Sequence, residues 1–62
     1  MNYDTKYLNE KQASEITGFA LPTLRNHRHK GIGIKYVKAG KSVRYSSKDI
    51  SDFMESHKIE TN

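Results

Sequence analysis

Residues 18–31 decide the fold of this chain, and they read GFALPTLRNHRHKG. Pro22 suits the first turn of a helix, because the N–H that proline lacks would have no partner there. Gly31 is a typical C-terminal stop, and Lys30 before it lies favourably at the negative end of the helix dipole. The segment therefore predicts a helix from Leu21 or Pro22 to Lys30.

A shorter helix is predicted just before this segment. Asn9 is a good N-cap, and Gln12 completes a capping-box pattern. Ala13 and Ile16 follow at helical spacing, and Gly18 supplies the stop. A helix of about two turns needs tertiary packing to persist. Two helices joined by a turn of about four residues form the helix-turn-helix arrangement.

A β-hairpin is predicted after the second helix, because apolar and polar residues alternate on both sides of Ala39-Gly40. If Lys38 lies opposite Lys41, the alternation places four apolar side chains on one core face: Ile34, Tyr36, Val43 and Tyr45. Arg44 then points away from that face. The two lysines at the tip discourage edge-to-edge aggregation, and a charged tip is also typical of a wing that contacts DNA.

A last helix is predicted from Ser46 onward, with Ser46 as its cap and Asp49 at the capping-box position. An apolar stripe follows at positions i, i+3, i+4 and i+7: Ile50, Phe53, Met54 and His57. We expect this stripe to face the core, and a role in an interface is the alternative.

Positive charge is concentrated in the middle of the chain. Between Ile16 and Lys48 there is no Asp or Glu, yet the segment holds eight of the eleven Lys and Arg residues. A positive field on one part of a surface suits a polyanion, so the segment favours a nucleic-acid contact surface. Charge alone allows an unpartnered, solvated basic face equally well.

Composition excludes several other classes. The chain has no cysteine, so we predict neither disulfides nor a thiolate metal site. His27 and His29 point to different sides of one helix, which argues against joint metal binding. No nucleophile, base and orienting carboxylate can be assembled, so we predict no enzyme and no cofactor. No apolar run or signal segment suggests a membrane, and we expect a cytoplasmic protein.

The ordered elements, helix, helix, hairpin and helix, resemble the small winged helix-turn-helix proteins of the excisionase and AlpA-type regulator group, which have a MerR-like fold. Four passages carry the likeness: YLNEKQA (7–13), PTLRN (22–26) with Arg28 and Gly31, YVKAGK (36–41) with VRY (43–45), and SKDI (47–50) with Phe53. The resemblance implies a mainly α fold with a small β-hairpin over residues 7–57. Residues 1–6 and 58–62 are then expected to be flexible.

Three positions depart from the pattern of that group. Ala20 stands where a Ser usually caps the recognition helix, and the missing cap costs about 1 kcal/mol. His27 replaces a large apolar or Trp side chain, and Ile34 stands where Pro is common.

The resemblance also implies a set of DNA contacts. Arg donates two hydrogen bonds to guanine and Asn pairs with the adenine edge, so the residues expected nearest the bases are Pro22, Arg25 and Asn26. Phosphate contacts are expected from Thr23, Arg28, His29 and Lys30. The wing is expected to contribute Lys38, Lys41, Ser42 and Arg44. Arg44 has the alternative of bracing the hairpin against the last helix, and for any one of these residues the alternative is a solvated surface.

The predicted function is sequence-specific binding of double-stranded DNA. The resemblance implies a phage or bacterial mobile-element excisionase, a recombination directionality factor that bends DNA at attachment sites for a tyrosine or serine integrase. Such a protein is nucleoid-associated and self-associates cooperatively on DNA. The alternatives are an AlpA-type transcription regulator and, from another class, a protein-interaction adaptor with a basic face.

Overall fold

The computed structural model describes residues 5–59. Its elements are β1 (Tyr7–Leu8), α1 (Glu10–Thr17), α2 (Leu21–Lys30), β2 (Val37–Ala39), β3 (Ser42–Ser46) and α3 (Ser47–Ser56). The three strands form an antiparallel sheet in the order β1-β3-β2. The predicted mainly α class with a small hairpin is confirmed. Residues 1–4 and 60–62, most of the two termini expected to be flexible, lie outside the described residues.

The helix ends follow the sequence signals. Asn9 Oδ1 accepts a hydrogen bond from the backbone N–H of Gln12 at 2.8 Å, and Gln12 Oε1 accepts from the Asn9 N–H at 2.9 Å. This reciprocal pair is the predicted capping box. Gly18 and Gly31 end the first two helices as expected. Ala20 is the N-cap of α2 and provides no side-chain cap.

The hairpin register differs from the prediction by two residues. Lys38 lies opposite Val43, whereas the prediction placed it opposite Lys41. The turn consists of Gly40 and Lys41, and Gly40 adopts φ +62°. A glycine with positive φ lets a two-residue turn follow the twist of its strands, which moves the turn one residue towards β3. Because a slip of two residues is even, each side chain keeps its predicted face.

Strand β1 was not predicted. Tyr7 pairs with Ser46 and Leu8 with Tyr45. The pairing is extended by Lys6, whose backbone carbonyl accepts from the Ser47 N–H at 2.8 Å and whose N–H donates to Ser47 Oγ at 3.0 Å. Two residues give no alternation to detect, so only the long-range pairing defines this strand.

The core is formed by one buried side chain from each helix together with two from the hairpin region: Ala13, Leu24, Ile34, Tyr45 and Ile50. Leu8, Phe19, Val43 and Phe53 pack against them. Burying one side chain of the size of Leu24, Ile34 or Ile50 stabilises the fold by about 1.5–3 kcal/mol. The core therefore joins α2 to the hairpin and to α3.

Three residues expected on the core side lie outside it, namely Tyr36, Met54 and His57, and Ile16 of α1 is exposed as well. Ile16 is 60% exposed, whereas Phe19, which follows α1, packs against the core. Tyr36 is 41% exposed, and its ring lies beside Tyr45 and Arg28 at the edge of the core. Met54 and His57 are also exposed, because only the first half of the α3 stripe reaches the core.

Candidate nucleic-acid interface

Helix α2 presents one exposed stripe to solvent. The stripe consists of residues at i, i+3, i+4 and i+7, all exposed: Pro22, Arg25, Asn26 and His29. It lies opposite Leu24, which is 1% exposed and fixes the buried side of the helix. The structure thus brings together the three residues expected at the bases, and adds His29. Thr23 and Arg28 are half-buried on the flanks, and Lys30 is exposed at the end.

Within the exposed stripe, Arg25 is ion-paired with Glu10 at the start of α1. Arg25 Nη2 lies 2.6 Å from Glu10 Oε1, and Arg25 Nε donates to the same oxygen at 3.2 Å. The hydrogen bond from Arg25, assisted by Arg28, holds the pKa of Glu10 below its ordinary value, against the opposing effect of partial burial. Glu10 is therefore an anion at neutral pH, placed directly beside a residue expected to read bases.

Arg28 connects three elements. Its Nη1 donates to Tyr45 Oη at 2.7 Å and its Nη2 donates to Glu10 Oε2 at 3.2 Å. Its guanidinium also lies 5.8 Å and 5.9 Å from the ring centroids of Tyr36 and Tyr45, within the range of cation–π attraction. The side chain is only 16% exposed. The expected phosphate contact of Arg28 stays a prediction, and the structure gives Arg28 a second role in joining α1, α2 and the hairpin.

Sequence reasoning did not find Glu10 or the two tyrosines as neighbours of the arginines. Glu10 is 15 residues from Arg25 in the chain, and no periodic pattern links them. The only signal was that Glu10 is one of the acids just before the basic segment.

The hairpin forms the wing, defined here as residues 37–46. Its expected contact residues are all exposed: Lys38, Lys41, Ser42 and Arg44. Arg44 Nη1 donates to the backbone carbonyl of Val43 at 2.8 Å, so its observed contact is within its own strand. Bracing of the hairpin against α3 by Arg44 has no support among residues 5–59.

A groove lies between the wing and the start of α1. Its walls are Asn9 and Glu10 on one side and residues 41–44 of the wing on the other, with Arg28 between them. Three cationic side chains, Arg28, Lys41 and Arg44, line it against the single carboxylate of Glu10. We call this feature the basic groove. Its charge suits an anionic oxygen such as that of a phosphate.

The structure divides the cations of the acid-free segment into two groups. Three of them are ion-paired with acids outside the segment: Arg25, Arg28 and Lys48. Five have no acid within 4 Å in the described part of the chain: Lys30, Lys35, Lys38, Lys41 and Arg44. Four of those five are in the wing or just before it, so the unbalanced positive charge lies mainly on the wing side.

On the other side of α2, His27 packs against Phe19. Its ring meets Phe19 edge-on at 5.6 Å, so it fills the place expected for a large apolar side chain. Its Nδ1 is buried and has no hydrogen-bond partner within residues 5–59. Gly33 closes over this ring, and a Cβ added there would lie 2.8 Å from His27 Cβ.

None of the described helices is both long and apolar enough to cross a membrane. The family model of the helix-turn-helix domain matches residues 7–58. No curated protein and no solved structure matches the chain. A helix-turn-helix domain binds DNA through its second helix, which is the position of α2 and its exposed stripe. The chain therefore belongs to the helix-turn-helix domain family, and DNA binding is its function class.

Proposed function

We propose that this protein binds specific sequences of double-stranded DNA, with α2 in the major groove and the wing beside it. The observation that carries the proposal is the exposed stripe, which is directly opposite the buried Leu24. The major groove is about 12 Å wide and admits one helix. Arg25 and Asn26 would then face base edges, where Arg pairs with guanine and Asn with adenine.

Phosphate contacts fix the register of such a complex. We assign them to the cations without an acid partner, chiefly Lys38, Lys41 and Arg44 of the wing, with Lys30 at the end of α2. Thr23 on the flank of α2 and His29 at the C-terminal end of the exposed stripe would reach the sugar-phosphate backbone. The basic groove would receive one phosphate, with Arg28 at its base. Lys41 at the wing tip would lie at the adjacent minor groove.

A salt titration on duplex DNA tests this proposal. Each phosphate contact adds about 0.9 to the slope of log affinity against log salt concentration. Since five cations lack an acid partner among residues 5–59, we expect a slope of up to about 4.5 in magnitude. A duplex selected from a random library should also bind more tightly than a scrambled duplex. A slope near zero would contradict the proposal and would favour an adaptor that binds an acidic protein.

Within DNA binding, we propose the role of an excisionase that bends DNA at attachment sites and cooperates with an integrase. The support is the likeness of residues 7–57 to that group. One helix and one wing contact few base pairs, so selectivity requires adjacent copies or a partner protein. DNase footprinting on DNA that carries an attachment site and a promoter separates the roles. Several adjacent protected sites beside the attachment site support excision, whereas a single site over the promoter supports an AlpA-type regulator.

A further inference from the structure

The guanidinium of Arg25 has two hydrogen-bonding edges, and only one of them donates hydrogen bonds within residues 5–59. Nε and Nη2 form the side edge, and both face Glu10, at 3.2 Å and 2.6 Å from Oε1. The end edge, formed by Nη1 and the outer hydrogen of Nη2, has no hydrogen-bond partner among residues 5–59. The Arg25 side chain is 57% exposed. A positioned pair of parallel N–H donors therefore faces solvent from the exposed stripe.

Guanine presents two acceptors, O6 and N7, on its major-groove edge, and the end edge of an arginine matches both. Resting on the DNA binding proposed above, we propose that Glu10 is a specificity-determining residue, which holds Arg25 so that its free edge reads one guanine. Glu10 touches Arg25 rather than the base, so it acts as a positioning residue. Fixing the guanidinium before binding reduces the rotamer entropy that is lost in the complex.

Glu10 is itself held in place, which is what a positioning residue requires. Its second oxygen, Oε2, accepts from Arg28 Nη2 at 3.2 Å, and Arg28 Nη1 donates to Tyr45 Oη at 2.7 Å. Tyr45 is 1% exposed and belongs to the core. A chain of contacts thus runs from the core through Arg28 and Glu10 to Arg25. The lowered pKa of Glu10 keeps the carboxylate ionised at neutral pH.

The opposite role for Glu10 is that of a competitor, which neutralises Arg25 and must be displaced by DNA. The two roles predict different effects of Glu10→Gln. Loss of a competitor strengthens binding to every duplex and leaves base preference unchanged or sharper. Loss of a positioning residue weakens the preference for guanine at one position. The amide of Gln retains the shape of Glu but replaces one acceptor oxygen with a donor, so it cannot hold both arginines.

The experiment measures base preference with duplexes randomised at their central positions. Selection with the wild-type protein defines the preferred duplex. Arg25→Ala then identifies the guanine it reads, as the position whose preference falls by about fivefold to a hundredfold. Because the Arg25–Glu10 ion pair is partly exposed, its free-energy contribution is small. Glu10→Gln should therefore reduce the preference for this guanine by about twofold to fivefold. Preferences at other positions should be unchanged.

The matched control is Glu15→Gln, which removes the same charge from the same helix. Glu15 is exposed and has no ion pair within residues 5–59. This variant should raise affinity for all duplexes slightly and leave the guanine preference intact. In the Arg25→Ala background, Glu10→Gln should change no base preference, because its effect passes through Arg25. Thermal melting of each variant reports any separate effect on folding.

Three outcomes are distinguishable. A wild-type protein that selects no sequence overturns the proposed function itself. A wild-type protein that selects a guanine through Arg25, with the same preference in Glu10→Gln, overturns only the role of Glu10. The role of Glu10 is also overturned if Glu10→Gln changes base preference as much in the Arg25→Ala background as in the wild-type background. Glu10 would then act by a route that does not pass through Arg25.

Discussion

At the residue scale, Arg28 sets the relation between α2 and the wing. Its guanidinium contacts Glu10 of α1 and the hydroxyl of Tyr45 on β3, and it lies near the ring of Tyr36. Hydrogen bonds made by a charged group are worth about 1.5–3 kcal/mol, and unpaired buried groups are costly. Arg28, whose side chain points mainly into the protein, therefore adds a polar link between α2 and the wing to the link made by the core.

Replacing Tyr45 with Phe tests the link that Arg28 makes between α2 and β3. The change removes the acceptor of Arg28 Nη1 and leaves that donor poorly hydrated, so we expect a loss of about 1–2 kcal/mol in the free energy of unfolding, measured with urea. Tyr36→Phe is the matched control, because the Tyr36 hydroxyl has no hydrogen-bond partner among the described residues. Its effect should stay within about 0.5 kcal/mol. Equal losses in the two variants would exclude this role for the Arg28–Tyr45 bond.

The ion pairs of Glu10 make folding pH-dependent. Arg25 and Arg28 lower the pKa of Glu10 in the folded protein below its ordinary value of 4.5. A carboxyl with a depressed pKa stabilises the fold above its unfolded pKa, and this stability is lost as pH falls through the folded pKa. Wild type should therefore be more stable than Glu10→Gln near pH 7 by at most about 1 kcal/mol. In thermal melts the difference should vanish at acid pH, and a constant difference at all pH values would contradict this cause.

The exposed stripe of α2 was predictable, because helical spacing places Pro22, Arg25 and Asn26 on one side of the helix; their contacts with DNA stay a prediction. The ion pair of Arg25 with Glu10 was not predictable. The sequence shows an acid-free segment, but only the folded chain brings Glu10 beside Arg25. Neutralisation of an arginine by an acid 15 residues away depends on packing of α1 against α2, which no local pattern encodes.

At the element scale, the helix boundaries were predictable and the sheet was not. Caps and glycines act within three or four residues, so the signals at Asn9, Gly18 and Gly31 were sufficient. The hairpin register depends on which residue of the turn adopts positive φ. Strand β1 depends on pairing with β3 across the whole chain, and a two-residue strand has no periodicity of its own.

Helix α2 lacks a side-chain cap, and this makes Ala20→Ser a stabilising change. A Ser hydroxyl at the N-cap accepts a hydrogen bond from an unpaired N–H of the first turn. Because Ala20 already has extended backbone angles, φ −66° and ψ 153°, we expect a gain of about 1 kcal/mol in urea unfolding. The control is Ala39→Ser at an exposed site in the wing. If Ala20→Ser gains no more than this control, the N-terminus of α2 is satisfied in another way.

Alanine substitutions at Gly33 and Gly40 distinguish the cost of backbone strain from the cost of steric crowding. Both have positive φ, +87° and +62°, so Ala at either position costs about 1–2 kcal/mol in backbone strain. At Gly40 the added Cβ meets nothing within 4 Å, whereas at Gly33 it would lie 2.8 Å from His27 Cβ. Gly33→Ala should therefore destabilise by about 2–4 kcal/mol in the same urea assay. Similar losses in both variants would mean that the loop over His27 moves without cost.

At the scale of the whole molecule, a small core supports a surface with uneven charge. Five buried apolar residues hold the helices and the wing together, and a domain of this size buries only about 60% of the surface of its unfolded chain. The positive segment found in the sequence becomes two regions in the structure. Both arginines of α2, Arg25 and Arg28, are paired with Glu10, whereas the lysines of the wing have no acid partner among residues 5–59. Under the proposed function, α2 supplies the base contacts and the wing supplies most of the phosphate contacts.

This division of roles predicts different effects of two single variants on the affinity for a selected and for a scrambled duplex. Competition binding measures both affinities. Asn26→Ala removes a base contact, so affinity for the selected duplex should fall by about 1–3 kcal/mol while affinity for the scrambled duplex stays constant. Lys41→Ala removes a phosphate contact, so both affinities should fall by the same factor and the salt slope should decrease by about 0.9. If Asn26→Ala discriminates between the two duplexes as well as the wild-type protein does, α2 does not read the sequence through its exposed stripe.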